Sequence, residues 1–253
     1  MTKISIKSKF YFSAAIATLG VSLLTKLMYW MNSSFSTNVN FINTDSIILK
    51  SLPQITNYAY IIFSMAFIAV SIGVICYGIA HFGPATSYKA SCISLGSFAL
   101  AEIASYVYGI IYNTYDEAAL KATIISVGIE LIYVGFIVFI TPILAKAYLK
   151  LSLKHKTSLS RLKISTAVIP SIFIYFLIKL IELVIYTVDA IKYYLGHGNT
   201  FSASLVISII LDVIYYFMLY FAAPVALSIL TVYTLTKITG PLKLKIKGAS
   251  STK

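Results

Sequence analysis

A chain of 253 residues with 59% hydrophobic and only 11% charged residues, and a mean hydropathy of +0.88, is not an ordinary soluble domain, in which about a quarter of residues are charged. A formal net charge of +12 points to partners or surfaces that are anionic. The two cysteines, Cys76 and Cys92, make no metal motif at their spacing and are expected to be free buried thiols.

Apolar runs near 20 residues or longer, each enough to cross about 30 Å of hydrocarbon, occur at about 10–31, 55–80, 90–112, 118–145, 164–189 and 201–236. Their hydrophobicity is continuous rather than alternating, so a transmembrane barrel is excluded. The sequence thus predicts a single all-α membrane domain over residues 1–253: six transmembrane helices joined by short loops into three hairpins.

The first helix follows a basic start, Lys3, Lys7 and Lys9, and continues to Tyr29 and Trp30 with no convincing cleavage site, so it is expected to stay uncleaved. Lys26 near its far end is expected to extend toward the headgroups. A polar connection over residues 32–56 follows, with a glycosylation sequon at Asn32-Ser33-Ser34 that is usable only in an outward-facing loop. The second helix ends at Gly78, His81, Gly83 and Pro84, a break that glycine and proline explain without a role for the histidine.

The third helix carries Glu102 and Tyr106, and the fourth carries Ser126, Glu130 and Tyr133 on one face. The fifth places Lys179, Glu182, Tyr186 and Asp189 on one helical stripe, and the sixth places Ser208, Asp212 and Tyr215. These patterns repeat. ISVGIELIYVGFIVFITP (125–142) recurs 82 residues later as ISIILDVIYYFMLYFAAP (207–224), with Glu130 over Asp212 and Pro142 over Pro224. Glu102 with Tyr106 recurs 80 residues later as Glu182 with Tyr186, so a hairpin repeat is expected between 90–146 and 164–236.

Charge asymmetry orients the chain. Of the 20 Lys and Arg residues, 15 fall on the N-terminus, the 2–3 loop, the 4–5 loop and the C-terminal tail, which hold no acid. Short cytoplasmic segments collect such residues, so a multi-pass cell-membrane protein with both termini cytoplasmic is expected.

Acids inside spans cost about 2.5–3.5 kcal/mol each at a helix centre on insertion scales, so Glu102, Glu130, Glu182 and Asp212 are expected to face the bundle interior. With Lys179, Tyr133 and Tyr215 they are candidate pathway or interhelix polar residues. Three readings stand open: carboxylates and tyrosines lining a wet path, protonated acids that hold helices together while Lys179 pairs with Glu182, or a face that binds a partner. No glycine-rich phosphate loop, HExxH or metal-ligand spacing is present, so neither an enzyme nor a cofactor is expected.

In its six spans, its lack of an ATPase domain, its Ile/Tyr/Lys/Ser-rich style and its basic cytoplasmic side, the chain resembles the polytopic membrane subunit of the crenarchaeal DNA-import system. That subunit is itself similar to the polytopic subunit of type IV secretion machines. The resemblance covers the whole chain as topology and composition and transfers no functional residues. It implies a DNA conduit working with other membrane subunits and a separate ATPase. The expectation from all of these readings is a channel or transport subunit in a larger complex, in contact with membrane lipids and open to homo-oligomer formation. The alternatives are a small secondary transporter of ions or solutes and a structural membrane scaffold.

Overall fold

The computed structural model describes residues 5–37, 47–111, 117–154, 162–196, 203–218 and 222–239. These form seven helices: α1 (Ile6–Thr37), α2 (Ile47–Phe82), α3 (Pro84–Ile111), α4 (Glu117–Lys154), α5 (Leu162–Gly196), α6 (Ala203–Phe217) and α7 (Ala223–Thr239). Among the described residues there is no strand, and five helices (α1 to α5) are long and apolar enough to cross a membrane. This is the make-up of an all-α, membrane-embedded protein.

The sixth apolar run is occupied by α6 and α7, both shorter than a full span; residues 219–221 between them lie outside the described set. Pro142 and Pro224, matched by the sequence repeat, therefore hold different positions. Pro142 is buried within α4, while Pro224 is buried in the first turn of α7, where a proline has no intrahelical donor to lose.

At Pro142 the missing N–H leaves the carbonyl of Val138, four residues back, without its helical partner. The hydroxyl of Ser91 on α3 donates to that Val138 oxygen at 2.9 Å, so a neighbouring helix satisfies it.

α1 runs on through Asn32, Ser33 and Ser34 to Thr37, because no glycine or proline stops it where its apolar stretch ends. The sequon expected in a loop is thus helical, and the Asn32 Oδ1 accepts from Thr56 Oγ1 of α2 at 3.4 Å. The turn between α2 and α3 follows expectation. Gly83 takes the left-handed conformation (φ 88°), its N–H caps the Ile79 carbonyl at 3.1 Å, and Pro84 opens α3.

The middle of the bundle is α2, which packs on α1, α3, α4, α5 and α7. Residues 66–80 are buried without interruption, so every face of four helical turns is covered. Small residues permit the close approach: a Cβ placed on Gly73 would stand 3.3 Å from the backbone oxygen of Ser228 on α7.

Hydroxyls join the other helices. Thr18 Oγ1 and Ser97 Oγ are 2.9 Å apart between α1 and α3, Trp30 Nε1 donates to Ser105 Oγ at 2.9 Å, and Ser228 Oγ meets Ser171 Oγ at 2.9 Å between α7 and α5. At the end of α2 the Tyr77 hydroxyl bonds Thr239 and the Leu235 carbonyl of α7. Ser, Thr, Tyr and Trp thus supply hydrogen bonds between helices throughout the bundle.

Candidate functional site

Helix α1 carries a polar stripe that composition alone hides: Thr18, Ser22, Thr25 and Tyr29 recur at three- and four-residue spacing, and Lys26 follows on the same side. Thr18, Ser22 and Thr25 are buried. Lys26 turns inward rather than toward the headgroups. It forms an ion pair with Glu102 of α3, and its Nζ lies 3.9 Å from Glu130 Oε2 of α4. The expectation that Lys26 reaches for the surface is therefore corrected: the buried Glu102 lies within reach, and without the ammonium its charge would stand uncompensated.

The two carboxylates sharing Lys26 stand in different surroundings. Glu102 is 4% exposed, whereas the side chain of Glu130 is 46% exposed and faces a cavity of about 430 Å³. Five helices line this cavity. Ser22, Thr25 and Lys26 come from α1, Tyr60 from α2, Glu130 and Tyr133 from α4, and Lys179 from α5. Phe67, Ile68, Phe98 and Val134 supply apolar wall.

Lys179 is 5% exposed, with its Nζ 5.8 Å from the ring centroid of the buried Tyr175. Lys26 Nζ is likewise 5.9 Å from the rings of Tyr29 and Phe98, so aromatic faces surround both ammonium groups. Counted along their helices, Lys26, Glu102 and Glu130 share one level, roughly two-thirds of the way across from the end where α1 begins.

Of the residues singled out from the sequence, the fold brings together Glu102, Glu130, Lys179 and Tyr133. Asp212 and Tyr215 lie on α6, which packs against α5, and neither lines the cavity. Glu182 belongs to α5, but its side chain lies outside the described residues, as does that of Tyr186. The expected local pairing of Lys179 with Glu182 falls there too. Ser22, Thr25, Lys26 and Tyr60 were missed. The signal that could have found them is the α1 polar stripe, which converges on a face also carrying a lysine.

Ser22 adds a pointer toward an occupant, because its Oγ is buried at the cavity and has no hydrogen-bond partner among the described residues. Among those residues no cluster of His, Cys, Asp or Glu could hold a metal ion.

No protein-family model, curated protein or solved structure matches the chain.

Proposed function

We propose that the chain is a membrane transport or channel subunit, and that the cavity bounded by Lys26, Glu130 and Lys179 holds a polar ion or solute during passage. The observation that carries this reading is two ammonium groups and a half-exposed carboxylate around a cavity within an otherwise apolar bundle. A bundle needing only stability is better served by apolar packing, since desolvating charges costs several kcal/mol each before pairing repays it. Glu102 compensates Lys26 from behind, so the cavity is charge-balanced rather than a purely acidic cation path. That balance suits a passing charge, which can exchange partners with Lys26 or Glu130 without leaving a bare ion in hydrocarbon.

The proposed setting is the cell membrane with both termini cytoplasmic, inside a complex with other membrane subunits and a separate ATPase. A DNA-import conduit is a second form of the same reading, supported by the acid-free concentration of 15 of 20 basic residues on one side. A cavity of about 430 Å³ in one copy suits an ion or small solute, so DNA passage would run between copies or subunits.

The test is flux of protons, Na⁺ and K⁺ into proteoliposomes, read with ion-sensitive dyes, alongside uptake of fluorescent single-stranded DNA in cells. Glu130→Gln and Lys179→Met are expected to lower one of these activities at least tenfold, about 1.4 kcal/mol, while the purified variants stay folded. Wild-type flux and uptake in both variants would overturn the cavity as the path and leave the scaffold alternative.

A further inference from the structure

At the end of the bundle where α1 and α3 begin and α4 ends, a groove of about 450 Å³ is lined by Tyr11, Tyr88, Lys89, Cys92 and Ile93. Tyr11 comes from α1 and the others from the first turns of α3. Lys146 of α4 is held beside it: its Nζ donates to the Tyr88 hydroxyl at 3.2 Å and lies 4.4 Å from the Tyr88 ring centroid. The aromatic face and hydroxyl thus fix an ammonium at the rim.

Charge at this end has one sign. Lys7, Lys9, Lys89, Lys146 and Lys150 come from its helix ends. None of the chain's eight acids falls in the stretches that form it, residues 5–15, 76–93 and 140–154. The two ends of the groove differ in polarity. Tyr88, with Lys146 on its hydroxyl, and Lys89 stand nearer the start of α3, while Cys92 and Ile93 lie one turn further along it. Topology needs positive charge on this side but does not require a groove with an apolar end beside it.

We propose that this groove binds an anionic phospholipid, with its phosphate between Lys89 and Lys146, accepting from the Tyr88 hydroxyl, and an acyl chain along Ile93. Charge complementarity selects a phosphate, and the position at the end of three long apolar helices, with Ile93 one turn beyond Lys89, selects a lipid over a soluble anion. The site is separate from the cavity. It lies at the opposite level of the bundle from Glu130 and does not depend on the transport reading.

Cys92 supplies the readout. It is exposed, whereas Cys76 is buried, so a neutral maleimide reports on the groove without an introduced cysteine. In nanodiscs containing phosphatidylglycerol, alkylation of Cys92 is expected to be about fivefold slower than in phosphatidylcholine, and native mass spectra should show retained phosphatidylglycerol. Lys89→Gln with Lys146→Gln should erase both effects while thermal stability stays unchanged. Equal rates in the two lipids would overturn the proposal. So would protection that survives the double variant, or protection in phosphatidylcholine by inorganic phosphate alone, which would assign the groove to a soluble anion.

Discussion

Helices α2 and α4 are nearly identical in hydropathy and opposite in fate. In the most apolar window of α2, 61% of residues are buried inside the protein, against 17% for α4. The α4 surface instead presents Ile125, Ile129, Ile132, Phe136 and Ile143 outward. Hydropathy reports only that a segment leaves water, because lipid tails and a protein interior are equally apolar. Side-chain size makes the difference. α2 interleaves Ala66, Ala69, Ser71, Gly73, Cys76 and Ala80 with its large residues, so neighbours can approach on every face. The outward Ile and Phe residues of α4 keep helices apart and suit acyl chains.

The contrast is open to direct attack, and the largest effect is expected from emptying the core. Ile75→Ala on α2, where the side chain is fully buried, should destabilise the protein by about 2–5 kcal/mol. Ile132→Ala on α4, where it is 75% exposed, should lie within about 0.5 kcal/mol of wild type. Thermal unfolding of detergent-purified variants measures both, and similar losses would erase the distinction.

A smaller difference should follow from overfilling. Gly73→Ala forces a methyl against the Ser228 carbonyl and is expected to cost about 1–3 kcal/mol. Gly128→Ala on α4 meets nothing within 4 Å and should be neutral or slightly stabilising, since alanine favours the helix by up to about 1 kcal/mol over glycine. A Gly73→Ala variant as stable as Gly128→Ala would mean that α2 and α7 are not in close contact.

The smallest expected effect concerns how α4 is attached. Ser91→Ala removes the donor to the Val138 carbonyl and should cost about 0.6 kcal/mol and at most about 1.7, the average and upper limit for hydrogen bonds between membrane helices. Adding Pro142→Ala should recover most of that loss, because the carbonyl regains its helical N–H. If the double variant is no better than Ser91→Ala alone, the hydroxyl serves some end other than the proline gap.

Much of the fold was legible in the chain because bilayer thickness and backbone hydrogen bonding leave few options to long apolar runs. Helical class, the spans over α1 to α5 and the Gly83–Pro84 turn all follow from local chemistry. The candidate site was half legible. Glu102, Glu130 and Lys179 declare themselves because charge in hydrocarbon is costly wherever it sits. Lys26 did not, because a lysine near a helix end has two inexpensive solutions, the headgroups or a buried acid, and its sequence neighbours are the same in both.

By itself, then, the sequence determined what must leave water and which groups could not face lipid, since both are properties of single segments. The tertiary structure alone decided that α2 rather than the repeated α4 stretch is the centre of the bundle. It decided as well that Lys26 is shared between Glu102 and Glu130, and that Asp212 stays away from the cavity its counterpart lines. Each of these depends on which helix faces of similar polarity meet. The discriminating energies are small differences in shape and hydrogen bonding between surfaces far apart in the chain.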